Sequence, residues 1–467
     1  MSSKDPNSRF KHWIVIILAI YILTRLLFLG FVHPWNPETE KEIILQKDAK
    51  GYHELARSLM EHHRFAYSST EDPNTLRTPL YPIFIAGIYT LFGFEPWVVL
   101  LFQIVIGALS CLLLIFTLRR LFNKQIALIA AFFFAIDPLQ IVFTVSLISD
   151  VLFVFLLVIA FYWFSRGFTS EAQGKNIVYY GLSGFFFGFS ALIRPISQYI
   201  PVVVIFFFLV WYRHKLKEAL KYSGAVLLMF LLAITPWLIR NYHHFGHIAI
   251  SSSGSQNLLL EYAVPMVQQK RNQSMKTVQE DLLAESEQMM RADGLDPQSL
   301  NSFQKSKYYQ KLAIKCIKQD PVHFMQTYFM GVVHCFAEID SSSFTTQLGI
   351  KMPKVDIKAT NNIIELVKKF ISAKGTTGIV IASVILPYLM VSYLGAVVGF
   401  FVSWKRYNWG ALLWCLLMAS YFVFVTGVAG CARFKIPAVP FYLAFTGIGL
   451  YFLFEKIKQR RMPEKGN

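Results

Sequence analysis

Directly after its first long apolar run, the chain presents Asp48, then Tyr52, Leu55, Ala56 and Leu59 at helical spacing, then Arg77-Thr-Pro-Leu-Tyr-Pro82. A centrally placed Asp or Arg costs roughly 2.5 to 3.5 kcal/mol on membrane-insertion scales, so an apolar protein keeps such groups beside the bilayer where they are hydrated, paired or functional. A carboxylate at an apolar interface is partly desolvated, which raises its proton affinity and suits it to deprotonating an acceptor hydroxyl. Asp48 is therefore a candidate general base, with a helix N-cap as the plain alternative.

A second acid, Asp150 in Ser146-Leu-Ile-Ser-Asp150, stands where the third expected span leaves the membrane outward and the fourth begins. Paired carboxylates serve a site that handles sugar hydroxyls or a divalent cation. Asp137, before Pro138, reads as structural, paired locally with an arginine. Four arginines share the inferred depth of the two acids: Arg77, Arg194, Arg240 and Arg433. One arginine there is an interfacial anchor, but four break the excess of basic residues expected on the cytoplasmic side. Their planar forks bind phosphate oxygens in pairs and stay charged at any working pH. A leaving phosphate held this way needs no general acid, so the set predicts one base and several cations. Tyr52, Tyr81, Asn241, Tyr242, His243 and Lys435 complete the candidate substrate pocket. No ligand set for a metal stands out, and a divalent cation is left open.

These residues need a membrane scaffold. Hydrophobic residues make up 55% of the 467 and Phe occurs 43 times, more apolar surface than a water-soluble fold can hide. The net charge of +17 would suit nucleic acid. Its placement argues otherwise, because the basic residues cluster at alternate ends of apolar segments, as the positive-inside rule requires. Those clusters are Lys4, Arg9 and Lys11; Arg119, Arg120 and Lys124; Arg166 and Lys175; Arg213, Lys215, Lys217 and Lys221; Lys405 and Arg406; and Lys456, Lys458, Arg460 and Arg461. Both termini are then expected in the cytoplasm.

About ten spans of ~20 residues follow: 12–32, 97–118, 126–146, 150–166, 177–194, 197–212, 221–239, 377–403, 409–428 and 436–455. Two outward regions interrupt them. In residues 33–96 an amphipathic helix is expected over 48–63, with a short Pro-bounded helix over 79–93. In residues 240–376 amphipathic stretches run from Val278 to Arg291 and from Phe303 to Lys318, and 322–339 are expected at the interface. The chain thus divides into a membrane module at 1–239 holding the first outer loop, an outer helical region at 240–376, and closing spans with a cytoplasmic tail at 377–467. Of five cysteines, Cys316, Cys335 and Cys431 fall on the outer side, where a disulfide is left open. Phosphate-loop, His-Glu-x-x-His and dinucleotide signatures are missing.

The ordered motifs are similar to those of a known group. Asp48-Ala-Lys-Gly-Tyr-His-Glu-Leu-Ala56, Arg77-Thr-Pro-Leu-Tyr-Pro82, Leu147-Ile-Ser-Asp-Val-Leu-Phe153, Ala191-Leu-Ile-Arg-Pro195, Pro236-Trp-Leu-Ile-Arg-Asn-Tyr-His-His-Phe-Gly246 and Arg433-Phe-Lys-Ile-Pro437 together resemble the GT-C membrane glycosyltransferases. The likeness is to the glycosyltransferase family 39 type, related to protein mannosyltransferases and the lipid A aminoarabinose transferase. It implies an all-α polytopic GT-C fold with outward-facing amphipathic helices. It also implies an inverting enzyme that moves a hexosyl or pentosyl group from a polyprenyl-phosphate donor on the outer face of the membrane.

In that family an acid of the first outer loop is the catalytic base, here Asp48. A second acid opens the fourth span, here Asp150, where relatives frequently carry Glu. Ala49 replaces the second of two adjacent acids, and Thr78 stands before Pro79 where a Pro-Pro pair is common. These departures separate the chain from the protein mannosyltransferases proper. The expected partners are a polyprenyl-phosphate sugar, membrane lipids, and a glycan, lipid or protein acceptor, with no nucleic acid. The expected place is a bacterial inner (plasma) membrane with the active site outside. The rivals are a flippase or transporter of lipid-linked sugars, and an O-antigen ligase or polymerase with a diphosphate-linked donor.

Overall fold

The computed structural model describes residues 6–46, 48–70, 72–170, 174–350 and 363–461, and among them every regular element is helical. Lys4 and residues 351–362 of the second outer region lie outside the described residues. Among the described residues seven helices are long and apolar enough to cross a membrane: Asn7–Val32, Pro96–Leu121, Asp150–Thr169, Leu216–Phe245, Thr377–Ser403, Trp409–Ala429 and Ala432–Arg460. An eighth is the pair Lys124–Ile136 and Pro138–Thr144, bent by 55°. Of the ten expected spans, those at 177–194 and 197–212 become the helices Lys175–Ala191 and Pro195–Trp211, both shorter than the rest. Proline explains the division. The residue before it is pushed out of helical geometry, and Arg194 before Pro195 is extended, with φ −139° and ψ 120°.

The same rule bends the chain at Pro138. Asp137 leaves the helix with ψ 116°, and its carboxylate caps the next helix by accepting from Gln140 N at 3.1 Å. It also accepts from Tyr388 Oη at 2.7 Å. The structural reading of Asp137 fits these bonds. The expected pairing with an arginine is not made among the described residues: Arg25 of the first span is near enough for its charge to act on Asp137, but it stacks on Tyr21 and donates to the Ala135 carbonyl.

The first outer loop folds as expected for its pattern. Asp48–His62 is an amphipathic helix that buries Ala49, Tyr52, Leu55, Ala56 and Ser58 and leaves Lys50 and Arg57 exposed. Leu80–Phe92 is the short apolar helix beside it. The second outer region carries a small core of its own, in which Leu259, Val264, Val278, Leu282 and Leu312 are buried together. That core joins Val264–Arg271, Met275–Ala292 and Ser302–Gln319. Residues 322–339 fall largely in one helix, Pro321–Ala337, which packs on the Gly427–Ala438 segment. All five cysteines are free thiols.

Candidate active site

Five charged side chains from four separate parts of the sequence form one hydrogen-bonded cluster. Asp48 Oδ1 accepts from Arg77 Nη2 at 2.8 Å, and its Oδ2 accepts from Arg433 Nη1 at 3.2 Å. Arg433 turns its other edge to Asp150, donating from Nε at 3.0 Å and Nη2 at 2.8 Å to Oδ2. Arg194 Nη1 donates to Asp150 Oδ1 at 2.6 Å. Arg433 thus bridges the two acids with donors on two edges of one rigid plane, a wider and more directional fork than a lysine's compact ammonium.

The elements explain how they meet. Asp150 opens the Asp150–Thr169 helix after the irregular turn that follows the bent pair. Arg194 is the extended residue before Pro195, and Arg433 lies in the 3₁₀ turn Ala432–Ala438. Arg77 sits in a coil fixed on every side. Its own N–H donates to Asn74 Oδ1, Ser251 Oγ donates to the Leu76 carbonyl, and Ser252 N donates to the Thr75 carbonyl. Thr78 Oγ1 donates to Ile193 O and Leu80 N to Leu192 O, which ties the Arg77 coil to the Arg194 coil.

Tyr52 and Tyr81 support this frame. The Arg77 guanidinium lies 4.5 Å from the Tyr52 ring centre, and that ring meets Tyr81 edge to face at 4.8 Å. Tyr81 Oη donates to Gln103 Oε1 at 2.7 Å, and Gln103 Nε2 donates to the carbonyls of Thr144 and Ser146. Aromatic faces also flank Arg194 at Phe153 and Arg433 at Phe143.

Other expected residues have different surroundings. Arg240 donates to Asn74 O at 3.1 Å and to Asn241 Oδ1, and it packs among Trp237, Phe245 and Phe65. It joins neither acid and instead braces the coil that carries Arg77. Asn241 is buried and donates to the Ala249 carbonyl. Tyr242 and His243 are exposed at the end of their helix. Lys435 is 1% exposed, its Nζ has no hydrogen-bond partner among the described residues, and it lies 5.8 Å from the Tyr393 ring centre.

The electrostatics reverse one expectation. Burial pushes the Asp48 carboxyl up, but the charges and hydrogen bonds of Arg77 and Arg433 outweigh it and hold the group down at about 2. In this state Asp48 is a weak base, where desolvation alone predicted a strong one. Its partner Arg77 is correspondingly raised. Among the described residues no three His, Cys, Asp or Glu side chains converge as a cation site, and both acids face guanidinium groups. The donor set does not fit a divalent cation.

Two charged residues escaped the sequence reading. Glu261, on the π-helical turn Leu258–Ala263, is close enough to Asp48 that partial desolvation and the Asp48 charge raise its carboxyl. No spacing rule ties it to position 48. Arg25 is fully buried in the first span, and a lone arginine inside an apolar run is a signal that sequence inspection can find.

Residues 76–239 match a family model described as dolichyl-phosphate-mannose-protein mannosyltransferase. The chain has a GT-C-like fold. Among solved structures, the GT-C fold is similar to the Archaeoglobus fulgidus oligosaccharyltransferase AglB in complex with an inhibitory peptide and a dolichol-phosphate. That match has 15% identity and a TM-score of 0.53, over 98% of this chain and 53% of that one. The apo form of the A. fulgidus oligosaccharyltransferase gives 14% identity and a TM-score of 0.56, over 98% and 52%. The chain spans about half the length of these structures. A weaker likeness, with 12% identity and a TM-score of 0.45 over 96% and 79%, is to ArnT from Cupriavidus metallidurans bound to undecaprenyl phosphate. No curated protein sequence matches.

Proposed function

We propose that this protein is an inverting glycosyltransferase of the GT-C type that moves a sugar from a polyprenyl-phosphate donor to a hydroxyl of a cell-envelope glycan, lipid or protein. The reading rests on the cluster of Asp48, Arg77, Asp150, Arg194 and Arg433, and the match of residues 76–239 to a mannosyltransferase family supports it. Arg77, Arg194 and Arg433 would hold the donor phosphate, with Asp150 fixing the last two. Asp48 would take the acceptor proton as the hydroxyl oxygen attacks the anomeric carbon from the face opposite the phosphate. The carbon–oxygen bond to phosphate breaks with its electron pair on the phosphate oxygen. That oxygen needs no added proton because guanidinium charge already faces it. One displacement inverts the anomeric centre.

Purified protein should transfer labelled sugar from a polyprenyl monophosphate donor to envelope extract. Asp48→Asn should lower that rate by about a hundredfold or more, the scale of general base catalysis, while lipid phosphate still binds. A preference for a diphosphate donor would identify a ligase instead. Transport of the lipid-linked sugar across vesicles, with no transfer, would identify a flippase.

A further inference from the structure

We propose that Asp48 stands in the donor phosphate's own place on Arg77 and Arg433, so that the phosphate must displace it and thereby frees the carboxylate that takes the acceptor's proton. This deepens the transferase reading and rests on it.

Three observations carry the inference. First, both Asp48 oxygens are engaged by guanidinium groups, at 2.8 Å and 3.2 Å, so the groups suited to bind phosphate already hold an anion. A base so engaged is a weak one, because protonating it means giving up charge-assisted bonds to two guanidinium groups. Second, the two acids differ in how readily they can leave. The Asp150 side chain is 1% exposed and wedged between Arg194 and Arg433, whereas that of Asp48 is 44% exposed at the first turn of its helix. Asp150 is a permanent counterion and Asp48 a detachable one.

Third, the charges match at each stage. Three guanidinium groups face two carboxylates, which leaves one positive charge unmatched. A sugar phosphodiester brings one negative charge and neutralises the cluster. After transfer the phosphate is a monoester with a charge close to −2. The acceptor's proton is then on Asp48, which has become neutral, so the total is unchanged. When that proton leaves to water, the re-formed carboxylate competes for the same guanidinium groups and helps to expel the product.

The groups facing Asp48 fit this cycle. Arg77 and Arg433 hold the anion, the Tyr52 ring lies against Arg77, and Glu261 adds a negative charge from the outer region. Once the guanidinium contacts are lost, Glu261 favours protonation of Asp48.

The test measures binding, not transfer, on the purified full-length protein. The probe is farnesyl methyl phosphodiester, which carries one charge and does not titrate near neutral pH. Asp48→Asn should bind it about tenfold or more tightly than the wild type, because a charge-assisted competitor is gone. A residue that merely helped to hold the ligand would give weaker binding. Calorimetry at about pH 4.5, in buffers of different ionisation enthalpy, should show proton uptake on binding by the wild type, since a released carboxylate returns toward its ordinary pKa of about 4. Asp48→Asn should show none. Equal or weaker binding by a folded Asp48→Asn variant, or the lack of proton uptake by the wild type, overturns the exchange. Binding unchanged by both Arg77→Gln and Arg433→Gln overturns the phosphate site itself. A protein that passes these tests yet transfers no sugar keeps the exchange and loses the transferase reading.

Discussion

Asp48 and Asp150 carry the same carboxylate, and burial separates what each does. Removing the charge of Asp150 leaves Arg194 and Arg433, both largely buried, without their main counterion. Breaking a buried pair from one side costs about 3 kcal/mol or more, so thermal melting of Asp150→Asn should drop sharply, while Asp48→Asn, half exposed, should melt within about 1 kcal/mol of the wild type. Acid should act in two windows. His53, whose Nδ1 lies 2.8 Å from Tyr89 Oη, is pushed down to about 4 by burial and by Arg57. The fold therefore favours its neutral form, and this contribution is complete above an unfolded value of about 6.5 and lost as pH falls toward 4. Asp48 contributes above its unfolded value of about 4, and that part is lost as pH falls through about 2. His53→Gln should flatten the decline in melting temperature between pH 6.5 and 4 and leave the loss below it. That Asp48, Asp150, Arg77, Arg194 and Arg433 come together was legible, because type and depth agreed. The surroundings of Arg240, whose rank with the other arginines rested on depth alone, were not legible, because depth does not reveal that its acceptors are the Asn241 side chain and the backbone carbonyl of Asn74.

The site's charged groups stand where helices stop. Asp150 follows the break at Pro138, Arg194 precedes Pro195, Arg77 precedes Pro79, and Arg433 lies in a 3₁₀ turn containing Pro437. Non-helical backbone at membrane depth survives only where protein satisfies its polar groups, and here one helix supplies much of that support. Along Pro321–Ala337, the stripe of Gly331, His334 and, just past the end, Glu338 faces the segment before Arg433. His334 Nδ1 pairs with the Gly430 carbonyl at 2.8 Å, and Glu338 Oε2 accepts from Ala432 N at 2.7 Å. At Gly331 an added Cβ would fall 2.4 Å from the Gly427 carbonyl oxygen, so the helix rests on backbone. Its other side exposes Val322, Met325, Phe329 and Val333. Gly331→Ala should therefore cost about 1 to 3 kcal/mol of stability and weaken phosphodiester binding through a displaced Arg433, and Glu338→Gln should weaken binding with less effect on melting. If Gly331→Ala binds as the wild type does, the support does not reach the site. The helices themselves were legible from apolar period and proline. The role of 322–339 was not, since His334 and Glu338 read as interfacial polarity until the partner segment, about a hundred residues later in the chain, is brought against them.

Across the whole molecule the charges sort by helix end. Asp150–Thr169 begins in the cluster and ends beside Arg166, Leu216–Phe245 begins after Arg213 and Lys215 and ends near Arg240, and Ala432–Arg460 begins at the cluster and ends in Lys456, Lys458 and Arg460. At 1.5 Å per residue the 20 residues of Asp150–Thr169 put about 30 Å between the two ends, the thickness of a hydrocarbon core. The basic ends and the acid–arginine end thus lie on opposite sides of any bilayer these helices cross. Basic residues in short loops orient such helices toward the cytoplasm, which would place the site and the amphipathic helices Met275–Ala292 and Ser302–Gln319 outside. An impermeant maleimide should then label a cysteine placed at exposed Gln288 in intact cells, and should label one placed at exposed His214 only after the membrane is opened. The opposite pattern would put the cluster beside the cytoplasm. Asp48 would then meet acceptors of the cytoplasm, and an envelope glycan made outside could not be its substrate.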